Sequence, residues 1–229
     1  MGKPYIIIAL GGSVIAPNGI DVKFLKRFRY FLRAQLKKRK RFIIVAGGGA
    51  IARHYQEASA KIVPLSNEDK DWLGIHSTRL NAHLLRTLFM KESYPVVFDN
   101  PHKLLSRKAP KDLIIASGWR PGRSTDYIAM LLAKRFGIGR VIIAGHPDFV
   151  YTKDYTRHKG AKPIPRIHWR EYQQLVPRTW KSGLKAPVDP IAAKLARASR
   201  IEAIIIRGTD LKNFARLLAG NPFRGTIIS

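Results

Sequence analysis

The sequence predicts an α/β fold, a doubly wound and mainly parallel sheet with helices on both faces, arranged as a three-layer sandwich. Two observations lead to this prediction. Short apolar runs recur along the chain without polar alternation, which is typical of parallel strands buried on both sides. Segments with apolar residues at helical spacing follow most of these runs, and alternating strands and helices favour a parallel sheet.

Each predicted strand is a short apolar run bounded by turn residues. The first is Tyr5–Leu10, which ends in Gly11-Gly12-Ser13. Pro95 cannot donate to a strand ladder, so the run after it is predicted as a strand only over 96–98. The stretch 149–167 is polar, basic and rich in proline, which predicts an irregular excursion or a hairpin. The other predicted strands are 42–46, 113–116, 140–144, 203–206 and 225–228.

The helices are predicted from amphipathic spacing and from capping residues. Asp21 caps the first long helix. Ser124 or Thr125 caps a later one, which ends at Gly137. Asp189, followed by proline, starts another in the favoured order of cap and then proline. Apart from the helix that Asp189 starts, the predicted helices end near residues 36, 60, 89, 136, 176 and 219.

Composition narrows the function classes. At 229 residues with 45% hydrophobic content, the chain is expected to form a single domain with a full core. There are no cysteines, which excludes disulfides, thiolate metal sites and cysteine nucleophiles. The apolar runs are too short to span a bilayer, and the N-terminus lacks the layout of a signal peptide. A cytoplasmic protein without membrane partners is therefore expected.

The charge balance is strongly basic, with 42 Lys and Arg against 15 Asp and Glu, a net charge of +27. One interpretation is nucleic-acid binding. The other is a basic surface that serves small anionic substrates or reflects the habit of the source proteome. The densest run, Lys37-Lys38-Arg39-Lys40-Arg41, ends a predicted helix, where cations also suit the helix dipole. No RNA-recognition aromatic signature is present, so nucleic acid is not the favoured partner.

Glycine-rich turns follow four of the predicted strands. They are Gly11-Gly12-Ser13, Gly47-Gly48-Gly49, the loop from Gly118 to Thr125, and 145–148. A strand, a glycine turn and a helix together aim backbone N–H groups at an anion, and glycine allows the close approach. Arg53, Arg120 and Arg123 add forked donors for phosphate oxygens. Parallel strands place these turns at one edge of the sheet, which predicts two phosphorylated ligands there.

The few acids lie near these turns. Asp126, Asp148, Asp154 and Asp189 fall at strand ends, in the loops that follow, or at helix starts. Phosphoryl transfer needs a carboxylate near Mg²⁺ or near the cations that steady the phosphoryl group. Asp126 and Asp189 can instead be helix caps, and Asp148 a turn residue; for Asp189 the cap is favoured.

Other nucleotide and hydrolase motifs are missing from the sequence. It contains no G-x-x-x-x-G-K-S/T, no G-x-G-x-x-G after a strand, no G-x-S-x-G and no H-E-x-x-H. A P-loop enzyme, a dinucleotide-binding domain, an α/β-hydrolase and a zinc protease are therefore disfavoured.

Six segments resemble motifs of the amino-acid kinase superfamily and, within it, of the archaeal-type uridylate kinases. The arginine in G-G-G-x-x-x-R and the T-R-x-N-A block point to that branch. In chain order the segments are Leu10-Gly11-Gly12-Ser13-Val14, Gly47-Gly48-Gly49-Ala50-Ile51-Ala52-Arg53, Gly74-Ile75-His76-Ser77-Thr78-Arg79-Leu80-Asn81-Ala82, Gly122-Arg123-Ser124-Thr125-Asp126, Asp148-Phe149-Val150-Tyr151-Thr152-Lys153-Asp154 and Asp189-Pro190-Ile191-Ala192-Ala193-Lys194.

The resemblance implies ATP-dependent phosphorylation of UMP to UDP with Mg²⁺, in pyrimidine nucleotide synthesis. It also implies a homo-oligomer, commonly a hexamer built from dimers. An acceptor-binding lobe would cover residues 1 to about 135, and a nucleotide-binding lobe about 136 to 229.

By matching positions, the resemblance implies which residues bind each substrate. Asp126, which would organise the charged groups, and Arg53 are the catalytic candidates. The ATP-binding candidates are Gly12, Ser13, Gly49, Arg53, Gly145, His146, Tyr151 and Asp154. The UMP-binding candidates are Gly48, Asp71 (for the sugar), Trp119, Arg120, Pro121, Gly122, Arg123, Ser124 and Thr125.

The chain departs from the family pattern at several points. The usual Thr-Asn-Val-Asp-Gly-Val-Tyr is replaced by Gly145-His146-Pro147-Asp148-Phe149-Val150-Tyr151, and Ala9 stands where many superfamily kinases carry lysine. Two alternatives therefore stay open. One is a related kinase for another phosphate monoester, and the other is a non-catalytic regulator that binds nucleotide or nucleic acid.

Overall fold

A computed structural model describes residues 3–103, 111–180, 183–184 and 186–229. Within them, the central sheet is built from β1 (Tyr5–Leu10), β2 (Arg41–Ala46), β3 (Leu113–Ala116), β4 (Arg140–Gly145), β7 (Arg166–Ile167), β8 (Glu202–Arg207) and β9 (Thr226–Ile228). A separate antiparallel hairpin pairs β5 (Val150–Tyr151) with β6 (Pro163–Ile164).

The strand order in the sheet is β3-β2-β1-β4-β8-β9-β7. The first five strands are mutually parallel, and β9 runs antiparallel to β8. Leu10 at the end of β1 lies in register with both Ala46 and Ala144. The predicted fold class is therefore confirmed, and the turns after β1, β2 and β4 lie side by side at one edge.

Helices cover both faces of this sheet. Asp21, Ser124 and Asp189 each accept backbone hydrogen bonds at helix starts, as their positions predicted. Gly137 ends its helix with φ +64°, a left-handed conformation that favours glycine. The helices are α1 (Gly12–Ile15), α2 (Val22–Lys37), α3 (Gly49–Ala60), α4 (Asn67–Leu88), α5 (Thr125–Phe136), α6 (Trp169–Leu175), α7 (Pro190–Ala198) and α8 (Leu211–Leu218).

Successive strand residues point to opposite faces, so the continuously apolar strands feed two cores. Ile7 and Ile43 join one cluster with the buried faces of α5 and α7. Ile8 and Ile44 join the other, with α2, α4 and α8. This two-sided burial holds the strand ends, and the turns that follow them, in fixed positions.

The strand predicted at 96–98 is wrong. The chain contacts β3 there only through isolated bridges, Ser93 with Leu113 and Phe98 with Ala116. Pro95 supplies no N–H, and Val96 is 54% exposed, so the segment touches the sheet edge without forming a ladder. The short helix α1 was not predicted, since four residues are too few for a periodic pattern. No helix of the described ranges is long and apolar enough to cross a membrane.

Candidate functional site

The glycine turns after β1 and β2 meet backbone to backbone. A Cβ on Gly12 would lie 1.9 Å from the nitrogen of Gly49, and one on Gly47 would lie 2.3 Å from the nitrogen of Gly12. Gly49 has φ +70°, and its Cβ would lie 2.4 Å from the Gly12 carbonyl oxygen. Glycine is therefore required at these positions by sheer proximity. The contact, which we call the glycine floor (Gly12, Gly47, Gly48 and Gly49), joins two predicted phosphate sites.

Backbone hydrogen bonds extend this contact to the neighbouring strand ends. The N–H of Gly47 donates to Leu10, that of Gly11 to Ala144, and that of Gly208 to Gly145, at 2.8–2.9 Å. The carboxyl ends of β1, β2, β4 and β8 are thus tied into one surface. Such an edge is where ligands bind in open α/β sheets.

Asn81 of α4 holds the glycine floor from below. Its side-chain amide, fully buried, donates to the carbonyl oxygens of Gly47 (2.8 Å) and Gly48 (3.0 Å). These bonds fix the peptide orientation of the turn, so its N–H groups stay directed away from Asn81. The Oδ1 atom of Asn81 is buried without a hydrogen-bond partner in the described part of the chain. The T-R-x-N-A block therefore contributes to the site through a side chain under the turn.

The loop after β3 is held against α4 by two polar contacts. Asp71 Oδ2 accepts a 2.7 Å hydrogen bond from the N–H of Gly122, and a longer one, at 3.4 Å, from the indole of Trp180. Thr78 Oγ1 accepts from the N–H of Gly118 at 2.8 Å. A Cβ on Gly118 would lie at that same 2.8 Å from Thr78 Oγ1, so the loop lies tightly on the helix. Asp71 is thereby a positioning residue of this loop.

The two arginines of this loop are stacked on aromatic rings. Arg120 lies over Trp119 at 4.2 Å, and Arg123 lies over Tyr127 at 4.9 Å. The Nε atom of Arg123 is buried and has no hydrogen-bond acceptor among the described residues. A buried guanidinium N–H without an acceptor leaves free binding capacity, which suits an anion. The loop thus presents a fixed cationic group beside a buried carboxylate pair.

That pair is Asp126 and Asp189. Burial, and then the nearby charge of Asp189, raise the pKa of Asp126 to about 8. Asp189 is 4% exposed, and burial raises its pKa too, although Ser124, the backbone N–H groups of α7 and Arg123 oppose this. Ser124 donates to Asp189 Oδ2 and accepts from the N–H of Tyr127, so one hydroxyl joins the starts of α5 and α7. At neutral pH the free protein therefore carries Asp126 mainly protonated.

A second polar cluster follows β4. The Tyr151 hydroxyl donates to Asp148 at 2.7 Å, and Arg224 pairs with the same carboxylate at 2.9 Å. Burial alone would raise the pKa of Asp148, but these bonds and the charge of Arg207 lower it. Tyr151 stacks on Tyr155 with ring centroids 4.7 Å apart. A stacked aromatic pair beside arginines can hold a nucleotide base and its phosphates.

The structure brings some predicted site residues together and leaves others apart. Gly12, Ser13, Gly48 and Gly49 lie on or beside the glycine floor, and residues 119–125 form the loop over Asp71. Gly145 lies next to them through β4, with His146 exposed.

Two predicted ATP-site residues have local partners instead. Arg53 is exposed, and its guanidinium donates to the Pro17 carbonyl at 3.3 Å. Asp154 is exposed and accepts from the backbone and hydroxyl of Thr156, which lowers its pKa and closes a turn. Their predicted roles stay predictions.

Sequence reasoning assigned no role to several residues that position the site. Thr78 and Asn81 lie in the T-R-x-N-A block, which resembles the family motif but gives no sign of a contact with a glycine turn. Trp180 and Tyr155 lie in loops without a periodic pattern. A helix-spaced run of small polar residues in α4, Ser77, Thr78 and Asn81, was the one available signal.

The match to a family model covers nearly the whole of this architecture. The model described as "Amino acid kinase family" matches residues 4–207. The chain belongs to the amino acid kinase family. The matched range includes the glycine floor, the loop over Asp71 and the carboxylate pair, so this family member carries its site inside the shared region.

Curated relatives match this amino acid kinase family member over its full length. The uridylate kinase of Thermococcus sibiricus is 32% identical over 225 residues, 97% of this chain and 98% of the relative. That of Hyperthermus butylicus is 31% identical over 229 residues, all of both chains. That of Pyrococcus abyssi is 33% identical over 217 residues, 94% and 95% of the two chains.

Solved structures give the same result. The crystal structure of uridylate kinase from Archaeoglobus fulgidus is similar with a TM-score of 0.82 and 26% identity, over 98% of this chain and 100% of that one. UMP kinase from Bacillus anthracis has a TM-score of 0.78 at 20% identity, over 99% and 97%. The latter likeness concerns the fold alone.

Proposed function

We propose that this chain is a uridylate kinase, which transfers the γ-phosphoryl group of ATP to UMP and releases UDP and ADP. The observation that carries this proposal is the glycine floor. It joins two phosphate-binding turns back to back in a chain whose full-length curated relatives are uridylate kinases. Two adjacent anion sites are what a transfer between two phosphates needs.

The acceptor side is the loop over Asp71. Asp71 and Thr78 hold its backbone, and Arg123 offers its unpartnered Nε–H to the UMP phosphate. Gly48 and residues 119–125 complete this side. The other carboxylate oxygen of Asp71, Oδ1, accepts a hydrogen bond from the sugar of UMP.

The donor side is the turn after β1 and the cluster after β4. Gly12, Ser13, Gly49 and Arg53 lie along the ATP phosphates. Tyr151, Gly145, His146 and Asp154 border the base and ribose, with the stacked ring of Tyr155 beside them. Catalysis then rests on alignment and on donors that meet the charge of the transferring group, without a covalent enzyme intermediate.

Asp126 organises the charged groups between the two sides. In the free protein its pKa of about 8 keeps it largely protonated at neutral pH, because burial and Asp189 disfavour the charge. The phosphates of UMP and ATP are anionic and do not favour the carboxylate, so only a cation held beside Asp126, such as Arg123 or an Mg²⁺ ion on the ATP phosphates, would lower its pKa. The negative charge that Asp126 places in the site therefore depends on the cations bound beside it.

Mg²⁺ fits this arrangement as an ion that enters with ATP. No group of three or more His, Cys, Asp or Glu side chains in the described ranges could hold a metal by itself. The Asp126 carboxyl group accepts no hydrogen bond from the described residues, so its oxygens are free to face an ion. Mg²⁺ prefers oxygen ligands of this kind. Bound to the ATP phosphates, the ion would offset the charge that develops on the transferring group.

The proposal extends to organisation in the cell. The acceptor lobe covers residues 1 to about 135, and the nucleotide lobe about 136 to 229. The protein acts in the cytoplasm as a homo-oligomer, a hexamer by family resemblance, in pyrimidine nucleotide synthesis.

A coupled assay of ADP release tests the activity. The purified chain is incubated with ATP, Mg²⁺ and, separately, UMP, CMP, AMP, GMP and isopentenyl phosphate. The proposal expects UDP formation, with UMP preferred by kcat/KM. A higher kcat/KM with another monophosphate would overturn UMP as the acceptor and assign that monophosphate instead. Nucleotide binding without turnover of any acceptor would overturn the kinase proposal in favour of a non-catalytic regulator.

A further inference from the structure

The kinase site does not account for the charge of α2 and the turn after it. Residues 22–41 contain ten Lys and Arg and no Asp or Glu, and no acid follows until Glu57. No residue of the proposed kinase site lies in this segment.

Four of the ten cations are engaged in the fold. Arg33 pairs with Glu92 at 2.6 Å, and Arg41 pairs with Asp112 at 3.1 Å. Arg29 donates to the carbonyl of Leu88, and Lys40 to that of Leu218. The side chains of the other six take part in none of the hydrogen bonds or ion pairs of the described ranges, and all six residues are exposed: Lys23, Lys26, Arg27, Lys37, Lys38 and Arg39.

These six residues share one outward surface, because α2 turns its apolar side inward. Phe24, Phe28 and Leu32 are buried in the core, with exposed fractions of 0–3%. Tyr30 is 72% exposed and lies on α2 between the cations at 23–27 and those at 37–39. At a rise of 1.5 Å per residue, the surface from Lys23 to Lys37 is about 21 Å long. We call it the α2 cationic face: Lys23, Lys26, Arg27, Lys37, Lys38, Arg39 and Tyr30.

The local field is positive. The pKa of Lys40 is lowered, first by burial and then by the charges of Lys38 and Lys3. The cations at the end of α2 are therefore close enough to repel one another. A polyanion laid across them would relieve this repulsion and release its counterions.

We propose that the α2 cationic face binds single-stranded nucleic acid. The charges are spread over a length that exceeds a small anion and lie on a convex helix surface. An anionic membrane is a poorer match, because the apolar side of α2 is already buried in the protein and cannot insert. A flat, exposed tyrosine between cations offers a stacking platform for an unpaired base, which a duplex does not present.

Fluorescence anisotropy with a labelled 20-nucleotide oligo(U) tests the proposal over a range of NaCl concentrations. Six phosphate contacts predict a slope of log K against log[salt] of about −4 for a single strand. The double variant Lys26→Glu/Arg27→Glu is expected to bind at least ten-fold more weakly and to reduce the slope by about 1.4. The matched control Lys134→Glu/Arg170→Glu changes the charge equally on exposed residues of α5 and α6 and should bind like the wild type.

Further arms separate the alternatives. Tyr30→Ala is expected to weaken oligo(U) binding five-fold or more and to leave binding of a 20-base-pair duplex unchanged. Equal losses in the double variant and its control would reduce the effect to net charge and overturn the proposal. So would tighter binding of the duplex, or of vesicles of anionic phospholipid, than of oligo(U). The double variant should keep the wild-type melting temperature and UMP turnover, so failure here is distinguishable from failure of the kinase proposal.

Discussion

Substituting Gly49 by alanine tests whether the glycine floor is set by contact between two turns or only by backbone conformation. Gly49 has φ +70°, and its Cβ would lie 2.4 Å from the carbonyl oxygen of Gly12 and 2.7 Å from that of Ala16. Gly220 is the matched control, since it has φ +78° and no atom within 4 Å of an added Cβ. Both variants force a left-handed conformation on alanine, and only one creates a clash.

The expected magnitudes follow from that difference. A left-handed alanine costs roughly 1–2 kcal/mol, so Gly220→Ala should lower the free energy of unfolding by about that amount. Gly49→Ala adds an overpacked contact with two backbone oxygens that cannot rotate away, worth about 1–3 kcal/mol more. The clash also pushes the turn of Gly12 away from its position, so the kinase should lose kcat/KM in the first variant and keep it in the second.

Urea denaturation and steady-state kinetics on the two variants check these values. Equal losses of unfolding free energy, with unchanged kcat/KM in both, would refute the idea that contact between the turns matters. A loss of activity in Gly220→Ala would also contradict it, because that glycine lies in the loop after α8, away from the proposed site.

Three further outcomes are expected. Asp126→Asn should flatten the dependence of unfolding free energy on pH. The pKa of Asp126 is near 4 in the unfolded chain and about 8 in the folded one, so the folded state binds the proton more tightly. Wild-type stability therefore falls as pH rises through this window, by at most ~1.4 kcal/mol per pH unit. Urea denaturation at several pH values gives the free energy of unfolding as a function of pH. The same pH dependence in the wild type and in Asp126→Asn would contradict this prediction. Asp71→Ala should raise KM for UMP about ten-fold with little change in kcat, because the Gly122 N–H loses a hydrogen bond to a charged acceptor worth about 1.5–3 kcal/mol. The control is Glu68→Ala, at an exposed residue of the same helix. An unchanged KM in Asp71→Ala would contradict the prediction. Arg53→Ala should lower kcat/KM at least ~10-fold by the loss of a charge-assisted phosphate contact worth about 1.5–3 kcal/mol. The control is His54→Ala, at the exposed neighbouring residue, which should keep the wild-type kcat/KM. Unchanged kinetics in Arg53→Ala would show that Arg53 does not belong to the site.

Local patterns were reliable wherever one physical effect dominates. Asp21, Ser124 and Asp189 cap helices as predicted, because each stands directly before an amphipathic run with few competing partners. The continuous apolar strands paired as expected, since burial on both faces leaves no other arrangement. The failure at 96–98 has the converse cause: an apolar run next to Pro95 has intrinsic extended character, but Pro95 supplies no N–H and the segment meets β3 only at the isolated bridges of Ser93 and Phe98.

The candidate site divides in the same way. Glycine turns with nearby arginines could be identified from the chain alone, because residue type and position after a strand specify them. Thr78 and Asn81 act across 40 and 34 residues of sequence, on Gly118 and Gly47. No pattern reports a contact over that separation, so the support under the turns was missed.

The sequence alone therefore determined the fold class, the strand ends that carry glycine, and the resemblance to one kinase family. Only the tertiary structure decided that Gly12 touches Gly49, that Asp71 holds the loop of Gly122, and that Asp126 and Asp189 share a buried region. The physical reason is distance. Propensity and periodicity act within a few residues, whereas steric exclusion and the pKa of a buried acid depend on groups that only folding brings within a few ångströms.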